Sequence, residues 1–229
     1  MAKLLQKRTD MLSQATFSFL TELKVNNQRE WFHEHKPRFK QAQENMLAMA
    51  NELIDRIIDF DERLMGTEGK DCLFRIYRDT RFSKNKAPYK TNMGASMAPG
   101  GRKSILPGYY LNIEPGNCFV AGGNYRPDSP QLKAIRNLIE QKPEALRAAI
   151  DDPTFVDRFG ALQGESLKTA PKGYPKDHPD IDLLRRKGFI AYQTFDDATA
   201  LGDDFPDLVE ASFQDMFPLI QFLHEAIDG

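Results

Sequence analysis

Apolar residues recur three and four apart through the first sixty positions of the chain, alternate two apart around position 110, and return to helical spacing after position 130. Phe17, Leu20 and Leu23 predict a first helix from about Ser13 to Lys24, ended by Asn26-Asn27. Asn27 followed by Glu30 has the form of a capping box for a second helix. A proline inside a helix costs about 3 kcal/mol but little at a first turn. Pro37 therefore divides the next stretch into two helices, Gln28–His35 and Pro37–Phe60. The longer carries Phe39, Ala42, Met46, Met49, Leu53, Ile57 and Phe60 on one face. Tyr109, Leu111 and Ile113 alternate with Tyr110, Asn112 and Glu114, which is strand periodicity. Glu114-Pro115-Gly116-Asn117 is a type II turn signal, and Cys118–Ala121 is the returning strand.

Met93–Ala98 and Leu73–Arg78 read as further strands, and Phe189–Phe195 as an edge strand. Gly100-Gly101 and Gly122-Gly123 read as turns. Leu132, Ile135, Leu138 and Ile139 form one helix face; Pro143–Ile150, Asp152–Phe159 and Ile181–Lys187 are short helices. Lys168–Pro179 is a loop. The last helix starts near Pro206 with Asp203-Asp204 as caps, and buries Val209, Phe213, Met216, Ile220, Leu223 and Ile227. Strands gathered in one block between helical segments define an α+β fold. Its central antiparallel sheet has about four or five strands, from residues 72–122 with 189–195 as a candidate addition, flanked by N-terminal and C-terminal helices. The expected organisation is a polar tail over residues 1–12 and a single domain over 13–229.

Charge changes this picture at one place. Residues 68–103 hold nine lysines and arginines against three acids, a local charge of +6. The whole chain is −2, so the remainder is −8. Phe74 to Lys90 alone interleaves six cations and one acid with four aromatic rings. Arg75, Arg78, Arg81, Lys84, Lys86 and Lys90 are candidate anion ligands, Tyr89 and Tyr110 candidate flanking rings, and Asp79 a candidate to orient an arginine. Lys172, in Pro171-Lys172-Gly173-Tyr174-Pro175-Lys176, offers a second cationic loop. Two like charges about 7 Å apart repel by roughly 2 kcal/mol at an effective dielectric of 20. The cluster must therefore stay wet, find carboxylates such as Asp79 and Glu114, or bind an anion. On an ideal strand Arg75 and Arg78 face opposite ways; a turn at Arg78-Asp79-Thr80, or a helix, would put them together, and the spacing leaves both open.

Several classes are disfavoured. The acidic balance counts against a general nucleic-acid binder without excluding one. No apolar run reaches the roughly 18 residues of a membrane span. The polar first ten residues lack a secretory h-region, and two cysteines make no disulfide framework. A cytoplasmic location with reduced, buried Cys72 and Cys118 is the expectation. His33-Glu34-His35 has i, i+2 spacing, not the i, i+4 of a zinc helix, so no metal is expected. No P-loop, Gly-x-Gly-x-x-Gly or Gly-x-Ser-x-Gly motif occurs, and no cofactor is indicated.

Asn26-Asn27 with Trp31-Phe32, the run Phe74–Lys90, and Gly108-Tyr109-Tyr110-Leu111 with Glu114-Pro115 resemble the domain of unknown function family numbered 2461. Leu167-Lys168, Pro171–Pro175, Asp177-His178-Pro179 and Leu183-Leu184-Arg185 with Lys187 continue the similarity, which spans Ser13 to Ala226. The resemblance implies a single-domain cytosolic protein, chiefly bacterial, and no activity, ligand or catalytic residue.

The residues therefore favour binding of a phosphate-bearing or other anionic small molecule, nucleotide-like, through the Arg/Lys/Tyr cluster. The alternative is a structural or protein-interaction module in which the same arginines form internal salt bridges. If a reaction occurs, Asp79 or Tyr110 is the acid/base candidate. Ligand identity, cofactor and oligomeric state are left open by the sequence.

Overall fold

The computed structural model describes residues 12–229; residues 1–11 of the expected polar tail lie outside the described residues. The fold is α+β, with a four-stranded antiparallel sheet in the order β1-β2-β3-β4, flanked by helices. The strands are β1 (Met93–Met97), β2 (Gly108–Ile113), β3 (Cys118–Asn124) and β4 (Phe189–Phe195), and β4 takes the edge place expected of it.

The chain gathers into two compact units that interleave in sequence. The first runs to Lys103 and adds Tyr110–Val120 and Thr194–Glu210; the second comprises Ser104–Tyr109, Ala121–Gln193 and Ala211–Gly229. In the first, α1 (Gln14–Val25) packs on α3 (Lys36–Ile58), and α3 lies on β1. Phe17, Phe19, Leu20 and Leu23 meet the Met46, Met49, Leu53 and Ile57 stripe in a dry core. Between them sits α2 (Arg29–Glu34), with only Phe32 buried. Pro37 falls in the first turn of α3, where its missing N–H costs nothing. After α3 comes the single-turn helix α4 (Gly69–Cys72).

In the second unit α5 (Ser129–Gln141) opens with a capping box between Asp128 and Gln131. Helices α6 (Pro143–Ile150), α7 (Pro153–Phe159, capped by Asp152) and α8 (Ile181–Leu184) follow. The short α9 (Asp197–Ala200) belongs to the first unit, and α10 (Phe205–Asp228) stays helical through Pro218. Within the second unit Phe213 packs on Tyr109, ring centroids 5.0 Å apart.

The β2–β3 hairpin turns as its sequence requires: Asn117 N–H donates to the Glu114 carbonyl at 2.8 Å, and Gly116 takes φ 78°. Four expectations are corrected. Leu73–Arg78 is no strand; it touches neighbours through single bridges, Leu73 with Ala95 and Tyr77 with Tyr89. Its partner bends at Thr91-Asn92, and Pro88 has no N–H to extend the ladder. Gly122-Gly123 lies inside β3 rather than in a turn. The helix expected over Ile181–Lys187 stops at Leu184, because Lys187 N–H pairs with the Glu165 carbonyl at 2.7 Å. Asn27 caps nothing: its amide is engaged with Tyr89, 62 residues away.

Cys72 and Cys118 are free and fully buried, and burial pushes each thiol from 9.0 up to about 11. The thiolate forms more readily in the unfolded chain, so this source of stability is complete below pH 9 and is lost as pH rises toward 11. An aromatic disulfide reagent at pH 8 is expected to titrate neither thiol in the native protein and both in denaturant. Rapid reaction of either native thiol would contradict this burial.

Candidate functional site

The segment Phe74–Lys90 is a loop that folds back on itself. Arg78 N–H donates to the Pro88 carbonyl at 2.9 Å, and Lys90 N–H to that of Ile76 at 2.8 Å, closing its base. The Arg78 guanidinium points into the loop, with Nη1 donating to the Ala87 carbonyl at 3.1 Å and Nη2 to Ser83 Oγ at 3.4 Å. Lys86 Nζ donates to the Thr80 carbonyl at 3.0 Å. Arg81 grips Asp79 with Nη2 on Oδ2 at 2.6 Å and Nε on Oδ1 at 3.0 Å, and those bonds hold the Asp79 carboxyl below its usual range. At 77% and 44% side-chain exposure, solvent screens this pair and it adds little to stability.

The ten candidate ligand residues thus separate. Arg81, Lys84 and Lys86 are exposed on the loop, beside Phe82, which is 95% exposed. Lys90 and Tyr110 flank Phe74 away from the loop tip, and the Arg75 charge acts on both Lys90 and Asp79. Lys90 Nζ sits over the Phe74 ring at 5.1 Å, and Phe74 meets Tyr110 edge-on at 6.1 Å. Burial, then the Arg75 charge, lowers the Lys90 ammonium. Tyr110 crosses Gly94 so closely that a Cβ there would lie 2.4 Å from its hydroxyl. Burial pushes that hydroxyl up, with Glu114 adding. It donates to Asn112 Oδ1 at 3.4 Å, and Asn112, buried on the face expected to be polar, also binds Asn92 and the Asn117 carbonyl. Lys172 is exposed in the second unit.

Two of the ten, Arg78 and Tyr89, line a cleft of about 310 Å³. Its other walls are Arg29 and His33 from α2, with Tyr77, Thr80 and Pro88. Spacing of i, i+4 puts Arg29 and His33 on one face of α2. Tyr89 is 3% exposed and stacks on Phe32 at 4.0 Å, while Tyr77 is 50% exposed and 5.3 Å from Tyr89. Asn27 fixes this wall: its Oδ1 accepts from Tyr89 N–H at 3.0 Å, and its Nδ2 donates to the Tyr89 carbonyl at 3.1 Å. Burial raises the Tyr89 phenol, Tyr77 adds to this, and Arg29 opposes it. Among the described residues no carboxylate lines the cleft, although the Glu30 charge reaches the Tyr89 phenol. Such a lining offers an anion the Arg29 fork, the N–H groups of Arg78 not spent on Ala87 and Ser83, and an imidazole, and offers a planar group the open face of Tyr77.

Sequence reasoning missed Arg29 and His33. Their i, i+4 spacing is visible in the sequence, but nothing local distinguishes it from two solvated side chains on one helix face. Among the described residues no group of three or more His, Cys, Asp or Glu side chains gathers to hold a metal. No described helix is long and apolar enough to cross a membrane.

These features define an α+β protein with a cationic, aromatic-walled cleft. The chain belongs to the family described as "Conserved hypothetical protein (DUF2461)", whose model matches residues 15–222. Comparison with curated proteins and with solved structures finds no match.

Proposed function

We propose that the protein binds a phosphate-bearing or other anionic small molecule, nucleotide-like in combining charge with a flat ring, in the cleft between α2 and the Phe74–Lys90 loop. The observation that carries this is the convergence of Arg29, His33 and Arg78 on one cleft without an acid on its lining. Charge-assisted hydrogen bonds contribute about 1.5–3 kcal/mol each, so two or three give millimolar to micromolar binding. Tyr77 supplies a stacking face for a base. Neither Asp79 nor Tyr110 lines the cleft, so neither is given a catalytic role.

Thermal shift against nucleotides, sugar phosphates and inorganic phosphate tests the reading. Ligand at 100 times its Kd adds about 2.7 kcal/mol, a rise of roughly 5–10 °C for a chain of this size. Arg29→Ala is the discriminating variant, because Arg29 makes no hydrogen bond or ion pair among the described residues. It is expected to keep the wild-type melting temperature and lose the shift. No shift with any anion, or a shift that survives Arg29→Ala, would refute the proposal.

A second reading rests on the Arg78 bonds to Ala87 and Ser83. There the loop's cations are scaffolding, and Arg78→Ala lowers stability while no anion has an effect.

A further inference from the structure

We infer that the second unit carries a separate anion site, centred on Arg186 at the end of α8, that takes a phosphate group. The stretch is firmly framed. Leu167 N–H donates to the Arg185 carbonyl at 2.7 Å, and Ser166 pairs with Arg186. Arg136, Arg185 and Arg186 all lie along this stretch, and none makes a hydrogen bond to a carboxylate among the described residues. Arg136 donates through Nε to the Leu184 carbonyl at 2.8 Å and through Nη2 to that of Arg186 at 3.3 Å. Arg185 donates to the carbonyls of Leu167 and Lys168 at 2.8 and 2.6 Å. The Arg186 backbone N–H donates to the Leu183 carbonyl at 3.1 Å, but its guanidinium makes no hydrogen bond among the described residues, and its Nε is buried without a protein acceptor.

The nearby acids are already engaged. Arg147 holds Asp180 at 3.1 Å and Asp182 at 2.7 Å, and Lys187 holds Glu165 at 2.7 Å. Carbonyl dipoles orient Arg136 and Arg185 but do not neutralise them, and Asp182, whose charge acts on Arg186, is shared with Arg147; four arginines here face two aspartates, which leaves a positive surplus. The contrast with other arginines is internal to the molecule. Carboxylate hydrogen bonds raise Arg38, Arg81 and Arg147, whereas burial lowers Arg136 and Arg186.

A buried donor without an acceptor is costly in a folded chain. A phosphate oxygen accepts from Arg186, and its second charge offsets a neighbouring guanidinium. A dianion fits this surplus better than a carboxylate does. The loop Lys168–Pro179, unused by the cleft, borders the site: the Arg136 charge acts on the Tyr174 phenol, and Lys172 is exposed two residues before it.

Hydrogen–deuterium exchange on the full chain with inorganic phosphate tests the inference. Phosphate is expected to protect amides of residues 165–174 and 184–188. Protection persists in Arg29→Ala, which separates this site from the cleft, and is lost in Arg186→Leu, with affinity down about tenfold or more. Without phosphate, Arg186→Leu melts at or above wild type, since an apolar side chain removes the unpaired donor. Arg186→Lys, keeping charge without the fork, weakens protection less and serves if the leucine variant does not fold. Absence of protection in wild type, protection unchanged in both Arg186 variants, or equal protection by acetate overturns the phosphate assignment.

Discussion

Gly123→Ala is expected to be the most damaging single substitution in the chain. Gly123 sits inside β3 with φ 123°, a backbone conformation that a residue with a Cβ rarely adopts. The added Cβ would lie 2.0 Å from the Phe189 carbonyl oxygen, 3.1 Å from its carbon and 3.3 Å from Ile190 Cα. All three are backbone atoms of β4, so no rotamer change relieves the clash. Strained φ costs about 1–3 kcal/mol and overpacking a further 1–3, giving about 2–6 kcal/mol against a typical total of 5–15. Gly116→Ala is the control: its φ is 78°, yet nothing lies within 4 Å of its Cβ position. Urea unfolding should show a midpoint far lower for Gly123→Ala than for Gly116→Ala. Equal midpoints would mean that strand separation relaxes freely, against the close approach described above.

That glycine also marks where sequence reasoning stopped. Gly122-Gly123 reads as a turn because two glycines together most often supply loop freedom. What makes Gly123 necessary is a carbonyl 66 positions away, and no local pattern reports it. Elements set by local physics were legible. The α3 stripe follows its three-and-four spacing, Pro115-Gly116 fixes the hairpin, and Asp152 and Pro153 open α7. Leu73–Arg78 misled because its composition suits a strand while its partner bends away. The cleft was half legible. Charge and rings in Phe74–Lys90 pointed to Arg78 and Tyr89, but the fold alone brings them to Arg29 and His33, about fifty positions earlier. Conversely, the choice of Arg81 as the partner of Asp79 and the turning of Arg78 onto Ala87 depend on side-chain directions that composition does not encode.

Asn27→Ala is expected to cost nearly as much as Gly123→Ala and to remove ligand binding with it. The Asn27 amide imitates a strand neighbour, accepting from the Tyr89 N–H and donating to the Tyr89 carbonyl. Alanine leaves both backbone groups without partners beside a ring stacked on Phe32. At about 1–3 kcal/mol for each unsatisfied group, the loss is roughly 2–6 kcal/mol. Asn27→Asp keeps the acceptor, loses the donor and adds an acid close to Arg29, so an intermediate midpoint is expected. Both variants should speed amide exchange at residues 87–90, since Pro88 and Tyr89 form one wall of the cleft. Arg29→Ala, in contrast, should change binding and leave exchange there alone. The pair thus separates the frame of the cleft from its charge. Were Asn27→Ala to unfold at the wild-type midpoint with unchanged exchange at Tyr89, water would be replacing the amide without loss. The cleft would then owe its shape to the Phe32–Tyr89 stack rather than to the asparagine.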